Sequence, residues 1–168
     1  DLDLLLAGAA EWEVTTLYRN DKNDTFVSVE MPFTGLSQGS LDWGDYDNDG
    51  DLDLLLTGHN LNNGLAKLYR NDGQGSFTDL SLDLPLVSGG VARWGDYDND
   101  GRLDFVLTGS TWNGGSQTSI YRNLGTGAFV NIGASITGGG AAVWGDYDND
   151  GDLDLLLAEI PSSWYAVV

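Results

Sequence analysis

The chain has 168 residues with 26 acidic side chains against seven basic ones, a formal net charge of −19, and 41% apolar and 11% aromatic residues. That apolar share builds a core for one domain of ordinary size, while the acidic field repels phosphate backbones and anionic membrane surfaces, so nucleic acid is excluded as a partner. The apolar runs fall far short of the roughly 18 residues a membrane helix needs, which excludes membrane insertion, and the lack of cysteine excludes a disulfide framework, a thiolate zinc site and a cysteine nucleophile.

Four units follow one another along the chain. The first, residues 1–35, is partial: it opens on Asp1-Leu2-Asp3-Leu4-Leu5-Leu6 and passes through Tyr18-Arg19-Asn20 to Phe26. The second, residues 36–86, is full and carries Trp43-Gly44-Asp45-Tyr46-Asp47-Asn48-Asp49-Gly50, the apolar run Leu52 to Leu56, Tyr69-Arg70-Asn71 and Phe77. The third, residues 87–137, repeats these landmarks from Trp94, with Leu103 to Leu107, Tyr121-Arg122-Asn123 and Phe129. The fourth, residues 138–168, starts again at Trp144, reaches Leu153 to Leu157 and breaks off near Trp164 to Val168. The three tryptophans stand 51 and 50 residues apart, a period of repeat architectures. With neither an initiator Met nor a signal segment ahead of Asp1, the chain is a processed product or a piece of something longer, and the repeats favour the second.

Within a unit, apolar and β-branched clusters alternate with glycine-rich turns such as Asn63-Gly64 and Asp72-Gly73, which predicts four short strands and no helix. For the third unit the strands are expected near Gly90–Gly95, Leu103–Thr108, Ser119–Asn123 and Ala128–Ile132. The Leu-Leu-Leu strand is apolar on both faces, as a strand must be when its sheet lies between two others. Because one such unit cannot bury both faces alone, the fold class is all-β, with β-propeller blades as four-stranded antiparallel sheets repeating at about 50 residues. A linear β-solenoid is the alternative, but its calcium-binding coils are glycine-rich nonapeptides, not 50-residue units.

The acidic loop of the second unit places carboxylates at its positions 1, 3, 5 and 9 (Asp45, Asp47, Asp49 and Asp53), with Gly50 at position 6 to permit a sharp turn. The third unit offers Asp96, Asp98, Asp100 and Asp104 around Gly101, and the fourth Asp146, Asp148, Asp150 and Asp154 around Gly151. Hard oxygens at alternate positions suit calcium, which takes six to eight of them at irregular angles, so three complete calcium sites are expected. The seventh position is assigned a backbone carbonyl, of Asp51, Arg102 or Asp152, which is why Arg102 can stand there without loss of a ligand. Asp1 and Asp3 are the remnant of a truncated fourth site. An EF-hand is excluded, because position 12 is Leu56, Leu107 or Leu157 in a strand where that motif needs a bidentate Glu on a helix. Without a cation, carboxylates this close repel, so metal binding and loop folding are expected to be one event.

The run Trp-Gly-Asp-Tyr-Asp-Asn-Asp-Gly-Asp-Leu-Asp, followed by an apolar strand and Tyr-Arg-Asn-Asp-Gly, resembles the FG-GAP and VCBS repeats of integrin α-subunit propellers and of many bacterial secreted proteins, over nearly the whole chain. The resemblance implies structural calcium, held in a loop that joins the first and second strands of a blade on one face of the propeller. Propellers of the family close with about seven blades, whereas this chain supplies two full units and two partial ones. The expected architecture is therefore an incomplete propeller or a fragment of one, with further blades coming from the same longer chain or from another copy.

The connections between second and third strands, expected at Ala9–Thr15, His59–Leu65 and Ser110–Thr118, differ between units, and variable loops on a rigid frame are where binding resides. Trp12, His59 and Trp112 fall in them as candidate ligand-binding residues. A Trp flanked by polar residues, as in Trp112-Asn113-Gly114-Gly115, suits stacking on a sugar ring, the alternative being packing between blades. Trp43, Trp94 and Trp144 are read as repeat core. Arg19, Arg70 and Arg122 are expected to pair with acidic neighbours, not to bind anions.

For an enzyme the inventory is thin, with one histidine, no cysteine and 14 of the 26 acidic residues inside the three loops. Glu11 and Glu13 share a connection without the constellation a catalytic pair requires. The sequence thus predicts a non-enzymatic, calcium-binding propeller scaffold of an extracellular or cell-surface protein, acting in adhesion or in recognition of a glycan or protein ligand. Its loops are of the kind filled at the roughly 0.1 to 1 mM calcium of extracellular modules. The alternatives are an accessory propeller of a secreted polysaccharide-active enzyme, or a structural subunit of a ring or fibre.

Overall fold

Strands carry the apolar runs and tight turns separate them in the computed structural model, which describes residues 2–9, 11–61 and 63–159. In chain order the strands are β1 (Leu4–Ala9), β2 (Glu13–Asn20), β3 (Phe26–Val29), β4 (Ser37–Gly44), β5 (Asp53–Asn60), β6 (Asn63–Asn71), β7 (Phe77–Asp79), β8 (Val87–Ser88), β9 (Ala92–Gly95), β10 (Asp104–Thr111), β11 (Ser116–Asn123), β12 (Phe129–Asn131), β13 (Gly140–Gly145) and β14 (Asp154–Glu159). The described residues hold no helix.

Pairing is antiparallel throughout and follows the repeat. The sheets are β1-β2-β3, then β4-β5-β6-β7, then β8 and β9 along one edge of β10 followed by β11 and β12, and last β13-β14. In the third sheet β8 meets Ser110 and Thr111 while β9 meets Asp104 to Leu107, so the two are one interrupted first strand. The break coincides with Gly89, whose φ of 66° suits glycine, and β4 carries an irregularity at the matching place, between Ser37 and Ser40. These sheets, stacked face to face, are blades of an incomplete β-propeller.

Stacking explains the strands that are apolar on both faces. Leu54 and Leu56 turn toward the first blade, packing with Leu36 and Tyr69 against Leu5, Ala7 and Leu17. Leu55, between them in sequence, turns the other way and joins Leu68, Phe105, Leu107 and Tyr121. The third blade repeats this with Val106 and Ile120 against Leu155 and Leu157. Leu54, Leu55 and Leu56 are fully buried, and each such side chain contributes about 1.5–3 kcal/mol only because a neighbouring blade covers it.

The glycines that open the first two loops, Gly44 and Gly95, pack against the tryptophans of the blades that follow. A Cβ on Gly44 would lie 2.6 Å from Trp94 Cδ1, and one on Gly95 would lie 2.7 Å from Trp144 Cδ1. The tryptophan of one blade therefore lies flat on the glycine of the blade before it, a place no side chain can share. This bears out the core reading of Trp94 and Trp144.

The inner strands run further than predicted, and the connections shrink accordingly. The expected Ser110–Thr118 loop is reduced to residues 112–115, because Ser110 pairs with Ser116 and Gly109 with Gln117. His59, predicted in a loop, stands in β5 opposite Gly64 and Ser37. Polar composition suggested loops at these points, but the ladder is made by the backbone and tolerates polar side chains near a hairpin tip.

Candidate metal centres

Each acidic loop is wound around its first carboxylate. Asp45 accepts the N–H of Asp49 on Oδ1 and that of Gly50 on Oδ2, both at 3.0 Å, and Asp49 Oδ1 in turn accepts the Asp51 N–H at 2.9 Å. The bend places Asn48 at φ 60° and Gly50 at φ 96°. The same bonds recur from Asp96 to Asp100 and Gly101, and from Asp146 to Asp150 and Gly151. A short side chain accepting from the backbone a few residues ahead is what Asp supplies at a turn.

The ninth position closes the loop from the start of the second strand. Asp53 is fully buried; its Oδ2 accepts the Tyr46 N–H at 3.0 Å and its Oδ1 the Asn71 N–H at 2.8 Å. Asp104 makes the same two bonds with Tyr97 and Asn123, and Asp154 accepts the Tyr147 N–H. Burial pushes the Asp53 and Asp104 carboxyls up to about 6 against the pull of those amides, with nearby carboxylates adding to the rise. Burial, then Asp49, also raises Asp47.

Three groups of carboxylates result among the described residues: Asp45, Asp47 and Asp53; Asp96, Asp98 and Asp104; Asp146, Asp148 and Asp154. In each, one oxygen from every member lies within 4.8 Å of the others. The donors are all hard oxygens, which fits a calcium-type cation and no soft metal. Asp49, Asp100 and Asp150 stand outside these groups and cap the amides of residues 51, 102 and 152. Arg102 turns its guanidinium onto Asp100 and donates from Nε to the Asn123 carbonyl at 3.2 Å, so the only basic residue in the loops pairs with one of the expected ligands. Asp3 accepts the Asn20 N–H at 2.8 Å, as Asp53 accepts that of Asn71, while Asp1 lies outside the described residues.

Two recurrent loop residues without a ligand role tie the sites of successive blades together. Asn48 donates from Nδ2 to the Gly101 carbonyl of the next loop at 3.3 Å, and Asn99 to Gly151 at 3.2 Å and to Asp152 Oδ1 at 2.8 Å. Tyr46 stacks on Trp94 with ring centroids 6.3 Å apart and planes 8° apart, and Tyr97 stacks on Trp144 at 6.5 Å and 14°. Asn123 donates to the Tyr46 carbonyl at 2.8 Å. Sequence reasoning missed these contacts, although Tyr and Asn recur unchanged in all three loops at positions that owe the cation nothing.

The candidate ligand residues separate. Trp12 is 78% and Trp112 97% exposed, each in the turn joining its blade's second and third strands. Trp112 borders a cleft of about 660 Å³ shared with Asn63, Leu86, Asn113 and Gln117. His59 is half-buried, its Nδ1 3.4 Å from Glu13 Oε1. Glu13, held below its usual range first by the Leu61 N–H, also accepts from Ser37, so His59 belongs to a tie between the first two blades. Arg19 and Arg70 pair with Asp21 and Asp72, as expected.

The family description FG-GAP-like repeat matches three overlapping stretches of the chain, residues 1–56, 45–107 and 96–157. No curated protein and no solved structure matches it.

Proposed function

The chain belongs to the FG-GAP-like repeat family, and on that premise we propose that it is a calcium-binding propeller scaffold of an extracellular or cell-surface protein, acting in adhesion or ligand recognition and not in turnover of a substrate. The three convergent carboxylate groups carry this reading. Asp45, Asp47 and Asp53 hold the first ion, Asp96, Asp98 and Asp104 the second, Asp146, Asp148 and Asp154 the third, with Asp49, Asp100 and Asp150 and the carbonyls of Asp51, Arg102 and Asp152 as further donors. The cation supplies the positive charge these sites lack, and three of charge +2 raise the formal net charge from −19 to −13. Loops of this type fill at extracellular calcium, and no described helix is long and apolar enough to cross a membrane. Native mass spectrometry of dialysed protein with added calcium tests the proposal: three retained ions support it, and none overturns it.

A dependence on pH follows from Asp53 and Asp104. Their folded-state carboxyls titrate at about 6, above the ordinary 3.8. In metal-free protein this contributes stability that is present below about 4 and lost as pH rises through 6, so the metal-free chain melts higher at pH 5 than at pH 7. Calcium requires the deprotonated form, so its apparent affinity at these two sites falls about tenfold between pH 7 and pH 5. Opposite slopes with and without calcium are the expected result of melting at both pH values.

Recognition of a glycan is supported at one place. Trp112 offers an open aromatic face beside the side-chain amides of Asn63, Asn113 and Gln117, the pairing of apolar ring and amides that sugars take. Binding to a glycan array that falls at least tenfold in Trp112→Ala, with the melting temperature unchanged, supports this; equal binding by the variant overturns it.

A further inference from the structure

The acidic loops of successive blades are joined at their tips by side-chain amides. Asn48 stands between Asp47, a member of the first carboxylate group, and Asp49, whose N–H winds that loop around Asp45. Its Nδ2 donates to the Gly101 carbonyl of the second loop, and at the other end of the same peptide unit the Arg102 N–H donates to Asp100 Oδ1 at 3.0 Å. Asn99 repeats this from the second loop to the third. Its Nδ2 donates to the Gly151 carbonyl, and the Asp152 N–H of that peptide donates to Asp150 Oδ1 at 2.9 Å. Bonds at the two ends of one peptide polarise each other, so a donor on the carbonyl strengthens the N–H that the carboxylate holds.

A separate, fully buried contact keeps the bases of the first two loops in register. The Asn123 N–H donates to Asp104 Oδ1 at 2.8 Å, its Nδ2 donates to the carbonyls of Leu103 and Tyr46 at 3.1 and 2.8 Å, and its Oδ1 accepts the Gly125 N–H. The tip bridges, by contrast, are exposed and run from bend to bend. Asn48 and Asn99 hold φ of 60° and 55° in their own loops, and the acceptors Gly101 and Gly151 hold φ of 83° and 94° in the loops that follow. A bridge of this kind needs both loops wound. Repulsion among close carboxylates opposes winding and a cation favours it, so an ion that winds one loop places a bonding partner for its neighbour. The electrostatic field acts in the opposite sense, since each divalent ion weakens the negative potential that draws the next.

We propose that the calcium sites fill with positive cooperativity, Asn48 coupling the first site to the second and Asn99 the second to the third. The proposal rests on the calcium reading above and makes the two asparagines positioning residues, which act on the cation only through the neighbouring loop. Filling of one site is expected to raise affinity at the next about fivefold, the low end of couplings between sites, as suits exposed bonds of 3.3 and 3.2 Å. By linkage the effect is reciprocal. The field alone would give the opposite sign, so positive coupling identifies the bridges as its source.

Native mass spectrometry of the full chain along a calcium titration tests this, because the shares of molecules with zero to three ions give the stepwise association constants. Asn48→Gly removes the amide and keeps the bend, since glycine accepts the same φ. It is expected to leave three ions bound and to lower the product of the three constants about fivefold. In Asp98→Asn, which disables the second site at an exposed ligand, two ions are expected and Asn48→Gly is expected to leave the product of their constants unchanged. Any effect of glycine on its own loop is common to both backgrounds and cancels in the comparison. Asn99→Gly is read in the same way against Asp148→Asn, an exposed ligand of the third site. A loss seen only while the next site is intact supports the coupling. An equal loss in both backgrounds, or no loss in either, overturns it while three ions still bind. Zero ions on the wild type fails the calcium reading itself, and this proposal with it.

Discussion

Stripping calcium with a chelator is expected to lower the melting temperature by more than about 10 °C. At calcium one hundred times its Kd, each site stabilises the folded state by about 2.7 kcal/mol, and 1 kcal/mol moves the midpoint of a domain of this size by about 2–4 °C. Asp53 and Asp104 are fully buried and each accepts two backbone N–H groups, which fix the ninth-position ligand of both sites. Asp146, Asp148 and Asp154 are all exposed, and the third site is expected to fill last and contribute least. Differential scanning calorimetry with calcium and with chelator reads the effect; a midpoint that does not move would remove calcium from the account of stability.

Gly44→Val is expected to cost about 2–3 kcal/mol and to lower the melting temperature by about 5–10 °C, while Gly145→Val changes it by less than 1 °C. The two glycines occupy the same place in their repeats. At Gly44 the first added carbon would stand 2.6 Å from Trp94 Cδ1 and 2.8 Å from Leu103 Cδ1, so Trp94 must leave its stack with Tyr46 or the two blades must part. At Gly145 the same carbon meets open space. Equal effects at both positions would mean that the blades do not stack as described. Parallel melts of the two variants in calcium decide it.

Much of the site was legible because its chemistry is local. Alternate aspartates around a glycine define a loop by their own backbone bonds, as from Asp45 to Asp49 and Gly50, and nothing distant is needed to place them. The strand at Leu54 to Leu56 was legible for a related reason, since a run with no polar face can lie only between two sheets. Legibility stopped where a residue's role depends on another blade. His59 looked like a loop residue until its strand was seen to pair with β4 and its ring to face Glu13. Asn48 and Tyr46 looked like filler between ligands, yet they join successive loops.

By itself, then, the sequence determined the repeat, the blade as its unit and the absence of helix from the described residues, because each of these rests on spacing within one unit, whereas of the four carboxylates it offered per loop the fold brings three together and leaves Asp49, Asp100 and Asp150 outside. Only the tertiary structure decided which carboxylates are buried and which aromatic rings are covered. Tyr46 and Tyr147 are the same residue in the same motif, and Tyr46 is buried because Trp94 and Phe129 of the next unit close over it, a contact that no spacing within one unit reveals.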